Sequence, residues 1–480
     1  MLILKIVAAI IIINAVLIIA AIIHTLSIPN KKSTYKAPPA DERALKYAEV
    51  LSKMIRYETV SVADTNQREK FLGFHKVMEE LFPLVFQNLE KIEIDGNLLM
   101  HWKGKKADKP VVLMSHQDVV PAEGEWRHEP FGGEISEGKV WGRGTSDTKG
   151  SVMAFYQAVE ELLEAGFEPG QDVYLSSSCT EEWGGPGCPS LVNELKKREV
   201  KPFLVIDEGG GIINEPIDGI LGNFAMLGVF EKGNCDLKFT ARSDGGHASA
   251  PPKNSPIIRL AAFELHIEKL NPFNKKFSPV VREMFKRFAP YSGFKMKLAF
   301  SNFWLFEPIL KQIISKLSGT ARSMLTTTMA FTMQKGSDAG NVIPQEASVW
   351  VDMRTIPHQG MDESFRIVKK IADRYKVEME IIRGGDYTET ADINGEAWKT
   401  TVKTVEETFP GLPAMPYILT GATDAKFYQE ICDCVIRFAP VVYGKEQLES
   451  IHGIDENIEY NCLPGAVDFY KNIIKNVGEL

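Results

Sequence analysis

The 480-residue sequence has little cysteine: six residues, at 179, 188, 235, 432, 434 and 462. So few over such a length build no disulfide framework, and their spacing fits no Cys/His zinc-finger pattern. They read as buried free thiols, the usual state of unpaired cysteine. On a strand, Cys432 and Cys434 would share one face, so a metal or redox pair there is a weak second reading. No long Lys/Arg run occurs in the body, and the formal net charge is −8. A large counterion-releasing nucleic-acid footprint is thereby excluded. Internal repeats are absent. Gly209-Gly210-Gly211 has neither GxGxxG spacing nor a lysine, so it makes no nucleotide site. With 44% hydrophobic, 10% aromatic and 25% charged residues, the chain is neither disordered, collagen-like nor a coiled coil.

One long apolar run is present. Residues 6–23 read IVAAIIIINAVLIIAAII, interrupted only by Asn14. As a helix they would cover about 27 Å, close to the hydrocarbon thickness of a bilayer. The run has no amphipathic stripe and sits at the terminus, which argues against a core helix. It is longer than a usual signal-peptide core and precedes no clear small-x-small cleavage site. A single-span N-terminal anchor is therefore favoured over a cleaved signal peptide and secretion. Lys5 on one side and Lys31, Lys32 and Lys36 on the other give too small a bias to orient it. Residues 27–40, rich in Pro, Ser and Lys, read as a linker.

In the body, short apolar strands lead into acidic, His or Gly residues. Residues 111–115 run into His116-Gln117-Asp118, residues 172–178 into Cys179-Thr180-Glu181-Glu182, and residues 203–206 into Asp207-Glu208-Gly209. Helical spacing over 148–165 and 191–198 separates them. Continuous apolar strands alternating with helices predict an α/β fold with a mostly parallel sheet, whose ligands gather beyond the strands' carboxyl ends. After residue 229 the pattern changes. Strands are expected at 236–241, 326–333, 347–353 and 376–382, and helices at 256–270 and 363–375, giving β-α-β-β-α-β, a ferredoxin-like α+β unit. The expected organisation is an anchor and linker (1–40), a first catalytic-domain segment (41–228), an inserted lid (229–384) and a second catalytic-domain segment (385–480). A long aromatic stretch, 277–317, lies inside the insert.

Carboxylates and histidines then pose an electrostatic problem. His116, Asp118, Asp147, Glu181, Glu182, Asp207 and His452 include five carboxylates expected at one cleft. They would repel unless protonated or bound to cations, and a His/Asp/Glu donor set suits zinc. Any one of them alone is better explained as a cap, a surface charge or a core histidine. The set is not.

The segments Ser115-His116-Gln117-Asp118-Val119-Val120-Pro121, Gly142 to Gly150 (GRGTSDTKG), Glu181-Glu182, Asp207-Glu208-Gly209, Gly246-His247-Ala248-Ser249-Ala250-Pro251, Asn341-Val342-Ile343-Pro344 and His452-Gly453 resemble a known family in order and spacing. It is the co-catalytic di-zinc family that includes carboxypeptidase S, aminoacylase, glutamate carboxypeptidase and succinyl-diaminopimelate desuccinylase. Trp304-Leu305-Phe306-Glu307-Pro308 resembles the branch holding carboxypeptidase S and the N-acyl amino acid hydrolases/synthases.

The resemblance implies two Zn2+ per subunit. Asp147 would bridge them, Glu182 and His452 would complete one ion's ligands, and His116 and Asp207 the other's. Asp118 would hold the His116 imidazole. Glu181 would be the general base, taking a proton from the attacking water and passing it to the leaving amine. His247, from the lid or, in some relatives, from a partner subunit, would stabilise the oxyanion. Asn341 and Arg354 would bind the substrate carboxylate. Gly421-Ala422-Thr423-Asp424-Ala425-Lys426 resembles the family's Gly-Gly-Thr-Asp loop, with Ala422 and Lys426 as departures. Histidines 24, 75, 101, 128, 266 and 358 fit no ligand pattern.

The leading expectation is a membrane-tethered zinc hydrolase that releases a C-terminal amino acid from short peptides. Its alternative is hydrolysis or synthesis of N-acyl amino acids. An acyl site at 300–317 is a minority reading beside core or lid packing. A reading from another class is a catalytically inactive carboxylate-binding scaffold, which should have lost a ligand or the base. None is missing.

Overall fold

In the computed structural model, which describes residues 2–480 except 64, 66 and 318, side chains of the strand Lys106–Met114 alternate between two cores. Val111 and Leu113 join the cluster around Phe155 and Val159, while Val112 and Met114 join Leu191 and Val192 on the other face. Both faces are covered by helices, Gly150–Glu164 and Leu463–Gly478 on one side and Gly187–Lys197 on the other. This two-sided burial explains why the strands read as unbroken apolar runs. The sheet counts ten strands among the described residues. Lys106–Met114 pairs in parallel with Gln171–Ser177 and with Leu204–Asp207, which pairs in parallel with Val435–Arg437. Antiparallel strands lie towards the edges. The body opens on the helix Glu42–Ile55, capped by the Asp41 carboxylate accepting from Ala44 N at 2.8 Å.

The expected ferredoxin-like unit forms. Its sheet runs Thr328–Lys335, Glu346–Arg354, Cys235–Arg242, Glu378–Arg383, all antiparallel. The helices Pro256–Leu270 and Met361–Arg374 cover one face through Leu260, Phe263, Val368 and Ile371.

Three features depart from the sequence reading. The strand Asn223–Glu231 belongs to the large sheet and runs past residue 228. The aromatic stretch, though inserted within the lid's sequence, packs on the larger core. Phe277, Phe285, Phe288, Phe300 and Phe303 share a cluster with Leu227, Phe230 and Met415, through the helices Pro279–Phe288, Phe294–Ser301 and Phe303–Leu317. The six cysteines are buried and free as expected. However, the strand Val435–Arg437 starts after Cys432 and Cys434, and these two side chains enter different clusters.

The apolar N-terminal run is a single helix, Leu2–Ser27, buried only at Ala21 and Thr25. Phe285→Ala should cost about 3–5 kcal/mol and lower the denaturation midpoint of the whole larger domain, read by chemical unfolding followed by tryptophan fluorescence. A loss confined to the lid would contradict this packing.

Candidate metal and active site

Parallel pairing places three strand ends at one edge of the sheet. Lys106–Met114 delivers His116, Gln171–Ser177 delivers Glu181 and Glu182, and Leu204–Asp207 delivers Glu208. Asp147 comes from the turn Thr145–Lys149, ahead of the helix Gly150–Glu164. His452 follows the helix Lys445–Ser450 in a left-handed backbone conformation, φ 59°, which is uncommon for a non-glycine residue.

Around Asp147 two triads of donor atoms converge. His116 Nε2 lies 3.0 Å from Asp147 Oδ1 and 3.8 Å from Glu208 Oε1. His452 Nε2 lies 3.0 Å from Asp147 Oδ2 and 3.1 Å from Glu182 Oε2. Within each triad, His116/Asp147/Glu208 and Asp147/Glu182/His452, the donors lie within 4.8 Å of one another and could hold one metal ion. The set, imidazole nitrogens and carboxylate oxygens around a shared Asp147, fits a pair of zinc ions.

One expected ligand lies outside the two triads. Asp207, the last residue of its strand, turns to the opposite side, where its Oδ2 accepts from Ala425 N at 2.9 Å. Successive side chains at a strand end point to opposite faces, so Glu208 faces the cluster instead. Asp118 holds the His116 ring as expected, chiefly through its backbone carbonyl, and its carboxylate has a second task. His116 Nδ1 sits 2.8 Å from the Asp118 carbonyl oxygen and 3.5 Å from its carboxylate. That carboxylate accepts from the amides of Glu181 and Glu182, each at 3.2 Å, and from Ser61 Oγ at 2.6 Å. It fixes the turn carrying both glutamates.

Two buried ion pairs hold the surrounding loops, and the sequence reading anticipates neither. Arg143 Nη1 meets Glu456 Oε2 at 2.7 Å, and Arg143 Nη2 donates to Gly453 O at 2.9 Å. Glu456 Oε1 accepts from the amides of Ser146 and Asp147 at 2.9 and 3.0 Å. This one pair therefore sets Asp147 and His452 together. Arg437 Nε meets Glu231 Oε1 at 2.7 Å, and Glu231 accepts from the amide (3.1 Å) and hydroxyl (2.9 Å) of Thr423, holding the loop after Gly421. Gly144, at φ 90°, has no room for a side chain against Val119. For the first pair the available signal is an Arg inside the GRGTSDTKG segment. The second has none, because its partners are 206 residues apart.

The charge balance is severe. Burial, then Asp424 and Glu182, push Glu181 well above the usual carboxylate range, against the opposing charge of His116. Burial and Asp147 raise Glu208. Burial raises Glu182 although its hydrogen bond to His452 opposes this. Burial and Asp424 push Asp207 up to about 7. Asp147 alone is lowered: burial works the other way, but His116 and His452 outweigh it. Asp147 and Glu182 push His452 up to about 10.

Asp147, Glu181, Glu182, Glu208, Gly421 and His452 line one cavity of about 460 Å³. Beyond them its wall is largely apolar: Ile213, Ile217, Met226, Met284, Met324 and Leu419. His247, Asn341 and Arg354 are not among its lining residues. His247 is exposed on the short strand Gly246–His247, with Nδ1 2.8 Å from Ser249 Oγ. Asn341 is exposed, its carbonyl accepting from Ala248 N. Arg354 makes a two-pronged pair with Asp352 at 2.7 and 2.9 Å.

Comparison with known proteins gives the family. Residues 112–476 match the family described as "Peptidase family M20/M25/M40". The chain belongs to that family. It is 32% identical over 450 residues to a probable carboxypeptidase S-like 2 of Dictyostelium discoideum, covering 90% of this chain and 85% of that one. To the N-fatty-acyl-amino acid synthase/hydrolase PM20D1 of Xenopus tropicalis it is 31% identical, covering 96% and 93%. Among solved structures, the fold matches human carnosine dipeptidase 1 with a TM-score of 0.68 at 16% identity, covering 91% and 97%. The M20 family metallo-carboxypeptidase Sso-CP2 of Sulfolobus solfataricus gives 0.67 at 19%, covering 92% and 100%. As an M20 protein the chain is a metal-dependent hydrolase with a mostly parallel α/β core.

Replacing Glu208 by Gln should lower the zinc bound per chain, measured by elemental analysis after dialysis, whereas Asp207→Asn should leave it unchanged. The reverse result would restore Asp207 as ligand. Asp207 has a folded pKa above its ordinary value, so in the metal-free protein its contribution to stability is full below pH ~4 and lost as pH rises through about 7. Asp207→Asn should flatten the melting temperature of the metal-free protein over that window, and an unchanged slope would contradict the assignment. Glu456→Gln, which leaves Arg143 buried without its charge partner, should cost about 3–5 kcal/mol in chemical unfolding.

Proposed function

We propose that the chain hydrolyses the amide bond of an N-acyl amino acid, with the acyl chain in the apolar part of the cavity and the free carboxylate towards the lid. The observation that carries this is the apolar wall beginning at the carboxylate cluster: Met226, Met284, Met324, Ile213, Ile217 and Leu419. Burying a methylene there is worth about 0.8 kcal/mol. Relatives bearing an N-fatty-acyl-amino acid synthase/hydrolase name support the substrate class. Relatives named carboxypeptidase S support short peptides, which would place an apolar side chain in the same chamber.

His116, Asp147 and Glu208 would hold one zinc, and Asp147, Glu182 and His452 the other. When bound, the pair would supply Lewis acidity and cancel the repulsion among the carboxylates. Glu181 takes the proton of the attacking water as the new C–O bond forms, then gives it to the departing amine as the C–N bond breaks. Burial raises this carboxyl above its ordinary range, making it a stronger base than an exposed one. Asp118 keeps Glu181 in place through the amide. His247 has its Nδ1 engaged by Ser249, leaving Nε2 to donate to the oxyanion when the lid closes. Asn341 and Arg354 would meet the substrate carboxylate in that closed form, with Arg354 exchanging Asp352 for it. The helix Leu2–Ser27 serves as a single-span anchor. Its surface is exposed apart from its last turns, as a lipid-facing helix requires.

For N-acyl phenylalanines from acetyl to oleoyl, kcat/KM should rise with chain length until the cavity is filled, by up to about fourfold per methylene, and should exceed that for dipeptides. Equal rates for acetyl and oleoyl, or a preference for dipeptides, would favour the peptidase reading. Glu181→Gln should lower kcat by about 10²–10⁴-fold with zinc retained. Near-normal turnover would remove Glu181 from the base role.

A further inference from the structure

The helices Phe294–Ser301 and Phe303–Leu317 present large apolar side chains to solvent: Phe294, Trp304, Ile309 and Ile313, each more than half exposed. Ile309 and Ile313 are one turn apart on the same helix face, while Leu310 and Ile314 face the core. This amphipathic surface joins the N-terminal helix. Asn302 Nδ2 donates to Ala21 O at 3.2 Å and to Thr25 Oγ1 at 2.9 Å, and Asn302 Oδ1 lies 2.9 Å from His24 Nδ1. Trp304 Nε1 donates to the same Asn302 oxygen at 3.3 Å. Lys297 Nζ reaches Asn30 Oδ1 at 2.8 Å and also Ile28 O.

Length and charge say what covers this face. The body first grips the N-terminal helix at Ala21. The 19 residues from Leu2 to Ala20 rise about 28 Å, close to the hydrocarbon thickness of a bilayer. Asn302 and Trp304 therefore stand where a spanning helix leaves the hydrocarbon, the depth at which tryptophan concentrates. Between residues 277 and 324 there are eight Lys/Arg and two Glu, in a chain whose net charge is −8. Lys286, Lys295, Lys316 and Arg322 are exposed. Arg282 and Lys311 pair with Glu307, Arg287 pairs with Glu283, and Lys297 is buried. The segment thus offers four exposed cations beside exposed apolar side chains, a combination that matches an anionic lipid surface.

We propose that this helical face lies on an anionic lipid bilayer beside the N-terminal helix, so that the body is docked on the membrane rather than tethered above it. The same segment supplies Met284, Thr320 and Met324 to the cavity wall, so docking brings the apolar side of the cavity near the lipid, where amphiphilic acyl substrates collect. The inference rests on the anchor reading of the N-terminal helix.

The native cysteines are all buried, so single introduced cysteines can carry a nitroxide. Full-length Ile11→Cys, Ile309→Cys, Ile313→Cys and, on the lid helix Met361–Arg374, Lys369→Cys would be reconstituted in vesicles of phosphatidylcholine with phosphatidylserine. The ratio of oxygen to nickel-chelate collision rates is then read at each site. The proposal expects the ratio at positions 309 and 313 to exceed that at 369 several-fold. Ratios at 309 and 313 equal to that at 369 overturn it. If position 11 then still reports lipid, the anchor stands and docking alone has failed. If position 11 reports water as well, both have failed.

Discussion

Carboxylate repulsion at the edge of the large sheet governs how the site and its supporting loops are built. Asp147, Glu181, Glu182 and Glu208 line one cavity, with Asp207 and Asp424 buried behind them. Charges of one sign in a medium of low dielectric cannot all ionise. Among the described residues only His116 and His452 lie within contact distance of Asp147 as cations, and both have raised pKa values. Two histidines cannot balance the set. Divalent ions at the two donor triads would.

Holding such a cluster together requires loops that do not relax away from it. Two ion pairs, Arg143–Glu456 and Arg437–Glu231, are almost fully buried. Buried pairs of this kind contribute little net stability compared with apolar packing. Their value lies in position. Glu456 gathers the amides of Ser146 and Asp147, while its partner Arg143 binds the carbonyl of Gly453, next to His452, so one pair aligns two ligands from distant segments. Glu231 does the same for the loop after Gly421.

Much of this is legible in the sequence because parallel strands buried on both faces leave an unmistakable pattern, apolar runs ending in acidic or histidine residues. That pattern and the family resemblance together point to Asp147, Glu181, Glu182, His116 and His452, and the structure brings their side chains together. Adjacent Asp207 and Glu208 cannot be phased from sequence, since one residue's difference in where a strand ends reverses which carboxylate faces the cleft. The docking of the 277–317 helices on the larger core is hidden for a related reason. An amphipathic helix announces a buried face but not the surface that buries it. His247, Asn341 and Arg354 lie outside the cavity lining, and local pattern does not encode how separate elements of the fold meet.

The proposed pair of cations sharing Asp147 would underlie both the chemistry and the architecture of the site, and anomalous X-ray scattering from crystals of the protein grown with zinc would locate it. Difference maps at the zinc edge should show two peaks on either side of the Asp147 carboxylate, one reached by His116 and Glu208 and the other by Glu182 and His452. No peak, or a lone peak that leaves either triad empty at saturating zinc, would contradict the two-cation site.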